Sequence, residues 1–302
     1  MTHTSSQLRD LRTEQPNQSA HDLDCQSSLE IARLINAEDT KVAQAVARVL
    51  PQIARAIDQV VNSLRHGGRL IYVGAGTSGR IAALDAVECL PTFNTDRVHF
   101  IIAGGPKALA SASELSEDDA QAGRQQMSRR KPTRQDVIIG IASSGRTPFT
   151  VAAIAEALRR GAHTMALTCN PNSPLERAAH FAIVTQVGPE VLAGSSRMKA
   201  GTAHKMVLNI ISTAAMTRLG YVYGNLMVNV VPKNEKLIQR AIGILEQATG
   251  ATHESASQTL KASGNRTPVA LVMLAAKLTR SQAQAALKKS KGNVRQAIEA
   301  AR

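Results

Sequence analysis

Tryptophan is missing from this 302-residue chain, and only three Tyr and four Phe stand in for it. A core for a chain of this length must therefore be built from Ala, Val, Leu, Ile and Met. The same scarcity argues against single-stranded DNA or RNA as a partner, because such binders stack bases on aromatic faces. The net charge of +13 would otherwise invite that reading, and duplex binding through a helix stays open. Long apolar runs are also lacking: no stretch reaches the ~18 unbroken apolar residues of a membrane span. Met1-Thr-His-Thr-Ser-Ser-Gln7 has no apolar centre of the kind a signal peptide needs. The cysteines, Cys25, Cys89 and Cys169, are odd in number, far apart and without a CxxC. A reduced, cytoplasmic protein without a structural zinc site is the expectation.

What is present is ordinary globular material, 43% hydrophobic and 20% charged. The first 25 or so residues are polar, with few apolar anchors, and read as a loose arm. From Ser28 to about His66, positions such as Leu34, Val42, Val46, Ile53, Ile57, Val60 and Leu64 recur at three- and four-residue spacing. That spacing predicts two helices meeting at Pro51. Between Arg69 and Thr185, five short and nearly continuous apolar runs start at Arg69, Val98, Val137, Thr164 and Phe181, most of them separated by helix-length segments. Strands of this type are covered on both faces, so the fold class is α/β, a doubly wound parallel five-stranded sheet. After Val231-Pro232 the chain turns helical. An echo there pairs Leu260-Lys-Ala-Ser-Gly-Asn265 with Leu287-Lys-Lys-Ser-Lys-Gly-Asn293, each eight residues after a capping Thr, and predicts two helix-turn-helix units. The expected organisation is an arm with helices over 1–66, the sheet domain over 67–231 and a small all-helical domain over 232–302.

Three loops look built for a phosphate. Arg69-Leu-Ile-Tyr-Val-Gly-Ala-Gly-Thr-Ser-Gly-Arg80 runs from strand through glycines into a helix, whose first N–H groups and positive dipole end suit an anion. Its GxGxxG pattern also fits dinucleotide folds, but those place an acidic residue at the end of the next strand, and Val98–Ile102 ends in Ala103-Gly104-Gly105. Thr77 and Ser78 beside Gly76 supply hydroxyls instead. Ser143, Ser144 and Thr147 follow the third strand in the same way. Gly194-Ser195-Ser196-Arg197-Met198-Lys199 opens another helix with hydroxyls and two cations. Each loop alone reads as an N-cap; together they point to one compact phosphate ester rather than a nucleoside triphosphate, for which the Walker lysine is missing.

Asp85 and Glu88 share a face of the helix after the first loop, and Glu114, Glu117, Asp118 and Asp119 cluster after the second strand. An acidic cluster is ordinarily a solvated face, and no rule of spacing selects one member. Histidines show neither metal-ligand nor triad spacing, so no metal or cofactor is expected and carboxylate acid–base chemistry on a sugar phosphate remains.

Gly74-Ala-Gly-Thr-Ser-Gly-Arg80 with Asp85-Ala-Val-Glu-Cys89, Ala142-Ser-Ser-Gly-Arg-Thr-Pro148, Gly194-Ser-Ser-Arg-Met-Lys-Ala-Gly-Thr202 and Gly224-Asn-Leu-Met-Val228 resemble, in this order, the N-acetylmuramic acid 6-phosphate etherases of the sugar isomerase (SIS) fold. Thr13-Glu-Gln15 and Leu34-Ile-Asn-Ala-Glu-Asp39 extend the resemblance over most of the chain. It implies cleavage of the D-lactyl ether at C3, with Glu88 as acid toward the departing lactate and Glu117 as the second carboxylate. It further implies a homodimer with a shared active site, a small sugar phosphate as partner, and neither nucleic acid nor membrane. Leu90, Asn94 and Asn229 depart from the family pattern, where Pro, Gly and Asp are usual. Glu88 lies nine residues past Gly79, ~13 Å along a regular helix, which also favours a site shared by two subunits.

Two other readings stay open: an aldose–ketose isomerase of the same fold, and a sugar-phosphate sensor. A sensor would ordinarily carry a basic recognition helix ahead of the sheet, and Ser28–His66 shows no clear one. Residues 231–302 hold twelve Lys and Arg against four Asp and Glu, so most of the basic excess sits in the helical tail, away from the predicted cradle.

Overall fold

The computed structural model describes residues 11–301. These divide into two compact units: the chain up to Ala86 with Arg97–Ser212, and Val87–Asp96 with the chain from Thr213 onward.

The first unit carries the sheet. Helices α1 (Ser28–Ala47) and α2 (Leu50–Arg65) precede it. Ser27 and Glu30 form a capping box that starts α1. The break falls at Arg48–Val49, just before Pro51, which sits in the first turn of α2 where its missing N–H costs nothing. Five parallel strands follow, β1 (Leu70–Gly74), β2 (Val98–Ile102), β3 (Val137–Ile141), β4 (His163–Thr168) and β5 (Phe181–Val184), in the order β2-β1-β3-β4-β5. All residues of β1 and β3 are buried, as continuous Val/Ile runs covered on both faces require. Helices α3 (Gly76–Phe93), α4 (Ala120–Arg129), α5 (Pro148–Arg159), the short α6 (Pro174–Arg177) and α7 (Lys199–Arg218) connect or follow the strands.

The register positions the site. Gly74 at the end of β1 pairs with Ile141 at the end of β3, so the loops after these two strands emerge level and side by side. The strand order reverses between β1 and β3, and open α/β sheets bind ligands at such switch points.

Residues 11–26 are not the loose arm that their polarity suggested. Leu11, Thr13 and Ala20 are buried. Asn170 Nδ2 donates to Thr13 Oγ1 at 3.0 Å, Arg12 to Gln186 Oε1 at 3.0 Å, and Asn17 Nδ2 to the Pro189 carbonyl at 3.4 Å. The segment is held by polar contacts to distant loops, which apolar periodicity does not register.

The second unit has its own core, in which Val228, Leu245, Leu260, Leu271, Leu287 and Ile298 are buried together. Its helices are α8 (Glu235–Thr249), α9 (His253–Ala262), α10 (Thr267–Ala276), α11 (Arg280–Lys289) and α12 (Val294–Glu299). The sequence echo is structural: Thr252 and Thr279 cap α9 and α11, and Ser263 Oγ and Ser290 Oγ donate to the Leu260 and Leu287 carbonyls. Asn94, where the family usually has Gly, takes a left-handed φ of 52°, a conformation Asn tolerates better than other side chains. The departure keeps the backbone turn. Among the described residues, no helix is long and apolar enough to cross a membrane.

Candidate active site

A cavity of about 510 Å³ opens at the switch point, lined by the β1–α3 and β3–α5 loops, part of the 194–196 segment and the loop after β2. Gly76 begins α3 with φ +50°, and a Cβ there would stand 2.6 Å from Glu117 Oε1. Only glycine lets the carboxylate lie against the helix start. Thr77 and Ser78 occupy the first turn, where N–H groups lack intrahelical partners.

The β3–α5 loop is tied down by hydrogen bonds. The Ser143 carbonyl accepts from Cys169 N at 3.0 Å, Asn170 Nδ2 at 2.9 Å and Thr168 Oγ1 at 3.2 Å, while Ser144 Oγ accepts from Arg146 N at 3.2 Å. Thr147, which lines the cavity, precedes α5 without a side-chain capping bond. Gly76, Thr77, Ser78, Ser143, Ser144, Thr147, Ser196 and Glu117 are thus gathered around one space.

Glu117 is partly buried. Its backbone carbonyl accepts from Phe149 N at 3.0 Å, which pins the loop to the start of α5. Burial pushes its carboxyl above the usual carboxylate range; Asp118 adds to this, Arg80 opposes it and Glu114 adds again. Arg80 and Glu14 also line the cavity and were missed by sequence reasoning, although both sit in motifs quoted for the family resemblance.

The remaining predicted residues lie elsewhere. Ser195 and the exposed Arg197 do not line the cavity. Lys199 is 2% exposed and its ammonium is paired with Glu38 of α1, which also holds Lys41. The start of α7 is not open to a phosphate either, because the fully buried Glu190 accepts from the N–H groups of Lys199 at 3.0 Å and Ala200 at 2.9 Å. Asp85 is likewise structural: buried, it accepts from Tyr72 OH at 2.8 Å, Asn209 Nδ2 at 2.6 Å and Ser212 Oγ at 3.0 Å. Glu88 belongs to the second unit, is exposed and does not line the cavity.

The Lys199–Glu38 pair has a measurable consequence. Lys199→Met leaves the buried Glu38 carboxylate with only the exposed Lys41 as its partner and is expected to destabilise the protein by about 1–3 kcal/mol. The double variant Lys199→Met/Glu38→Gln removes both charges and should recover much of that loss in denaturant unfolding. A single variant as stable as wild type would contradict the ion pair.

The family model described as SIS domain matches residues 108–214, and the model described as glucokinase regulatory protein N-terminal SIS domain matches residues 52–158. The chain is 46% identical to N-acetylmuramic acid 6-phosphate etherase 1 of Bacillus licheniformis, covering 97% of each chain. It is 46% identical to the N-acetylmuramic acid 6-phosphate etherase of Bacillus subtilis, covering 97% of each chain. With the enzyme of the same name from Edwardsiella ictaluri the identity is 47%, over 98% of this chain and 99% of that one. Among solved structures, a phosphoheptose isomerase from Francisella tularensis matches 64% of this chain and 100% of its own at 20% identity, with a TM-score of 0.49.

Proposed function

The chain belongs to the family of N-acetylmuramic acid 6-phosphate etherases, and on that basis we propose that it cleaves the D-lactyl ether of N-acetylmuramic acid 6-phosphate to give N-acetylglucosamine 6-phosphate and D-lactate. The observation that carries this reading is the cavity at the switch point, where hydroxyls from two helix-start loops converge and the carboxyl of Glu117 lies against Gly76.

The phosphate sits on the first-turn N–H groups of α3 and on the hydroxyls of Thr77, Ser78, Ser143, Ser144, Thr147 and Ser196. With the sugar ring open, the C1 aldehyde acidifies the C2 proton. Glu117 removes it, lactate leaves from C3 with a proton from Glu88, water adds at C3 of the unsaturated aldehyde with Glu88 as base, and Glu117 returns a proton to C2. The net change is addition of one water across the ether bond, with acid–base groups of the chain alone.

Glu88 enters this site from a second copy. It shares an exposed face of α3 with Leu84, Val87 and Pro91 at helical spacing, and Leu84 and Val87 are 52% and 58% exposed. An apolar face of this kind suits a homodimer in which the partner subunit's Glu88 completes each cavity. N-acetylmuramic acid 6-phosphate, with a lactyl carboxylate besides its phosphate, does not cross a bilayer unaided, so enzyme and substrate share one compartment, which on this reading is the cytoplasm.

Incubation of the purified protein with N-acetylmuramic acid 6-phosphate tests the reading. D-lactate and N-acetylglucosamine 6-phosphate should appear in equal amounts. A ketose phosphate with the lactyl ether intact would instead make it an isomerase.

A further inference from the structure

From Ser78 at the cavity wall a chain of buried side chains runs inward behind the β1–α3 loop, and beyond Ser78 the proposed reaction does not use it. Ser78 Oγ is 3.4 Å from His204 Nδ1, His204 Nε2 is 3.7 Å from Cys169 Sγ, and Cys169 Sγ is 3.5 Å from Thr185 Oγ1. The Thr185 hydroxyl donates to the Thr168 carbonyl at 3.4 Å. His204 and Thr185 are 0% exposed, Cys169 1% and Ser78 8%. Only Ser78 reaches the cavity.

Burial lowers His204 to about 4 and raises Cys169 to about 12, so near neutral pH the imidazole is uncharged and the thiol keeps its proton. Ser78, His204 and Cys169 then carry one polar hydrogen each. Two arrangements fill the chain. In the first, Ser78 O–H donates to Nδ1, Nε2–H donates to sulfur, and S–H donates to Thr185. In the second, every donor is reversed: S–H donates to Nε2, Nδ1–H donates to Ser78 Oγ, and the Ser78 hydrogen is released toward the cavity. The first turns serine lone pairs toward an anion and is repelled by it; the second presents a donor.

We propose that His204 is a positioning residue for the phosphate subsite: with the ester bound, its Nδ1–H donates to Ser78 Oγ and commits the Ser78 hydroxyl hydrogen to a phosphate oxygen. The inference rests on reading the cavity as a phosphate site. It explains why a serine in the first turn of α3 is backed by a desolvated imidazole, where an apolar side chain would fill the space at less cost in burying polar atoms. The Nδ1–H donor to Ser78 is a neutral hydrogen bond, and its loss corresponds to about a twofold to tenfold difference in affinity.

The test pairs a spectrum with a binding series. In protein labelled with 15N-histidine, the His204 resonances, identified by their loss in His204→Asn, should report hydrogen on Nδ1 once N-acetylglucosamine 6-phosphate is bound. In calorimetry, His204→Leu should bind that ester about two- to tenfold more weakly, with kcat nearly unchanged and KM raised. His204→Asn, whose amide N–H overlays Nδ1–H, should restore most of the affinity. Hydrogen on Nε2 in the complex, or a folded His204→Leu that binds as wild type does, would overturn the inference. If His204→Leu fails to fold, the wild-type tautomer decides alone. Wild-type protein that binds N-acetylglucosamine as tightly as its 6-phosphate would overturn the phosphate reading itself.

Discussion

Replacing Glu117 by Gln is expected to lower kcat for lactate release by ~10²–10⁴-fold, the contribution of a positioned general base, with affinity for N-acetylglucosamine 6-phosphate changed only slightly. Glutamine keeps the shape that rests against Gly76, where no Cβ would fit, but it cannot take the C2 proton. The pH profile carries a second signature. Because burial and the neighbouring Asp118 hold the Glu117 carboxyl above its ordinary range, the acid limb of kcat/KM should lie above that of a solvated glutamate. Activity is then present above this limb and lost as Glu117 protonates. Asp118→Asn, on the exposed surface, removes a like charge and should move the limb to lower pH; Arg80→Met removes a favourable one and should move it to higher pH. A limb that neither variant moves belongs to another group.

Glu88→Gln is expected to abolish lactate release with phosphate-ester binding still measurable, since Glu88 does not line the phosphate-facing cavity. The shared site gives a sharper outcome. Mixing the two inactive variants, Glu88→Gln and Glu117→Gln, should restore up to about a quarter of wild-type activity once subunits exchange, because half the dimers are mixed and each mixed dimer has one intact site. Mixtures that stay inactive after exchange would place both carboxylates of a site on one chain.

The sheet was legible because its signal is local. Five parallel strands announce themselves as short, largely apolar runs, and all five start within a residue of their expected starts. The two hydroxyl-rich loops after β1 and β3 were legible for a related reason: glycines and hydroxyls follow directly on a strand, and the register of Gly74 with Ile141 brings them level. The third loop misled in part. Arg197 and Lys199 look like phosphate ligands in the sequence, but Lys199 has a buried partner in Glu38, 161 residues away, and Glu190 occupies the start of α7. No local pattern encodes such pairings. The same holds for the segment around Thr13, fixed by Asn170, and for His204, an isolated histidine whose two ring nitrogens find Ser78 and Cys169 only in the folded chain. Asn94 is the converse case. Its left-handed φ of 52° is one that glycine adopts readily and Asn tolerates better than other side chains.

The elimination itself is tested most directly by turnover of N-acetylmuramic acid 6-phosphate in heavy water, with the N-acetylglucosamine 6-phosphate analysed by NMR. Removal of the C2 proton and later reprotonation predict deuterium at C2 of the product and one D-lactate released for each sugar. D-lactate released with hydrogen retained at C2 would contradict the elimination and require direct displacement at the ether carbon.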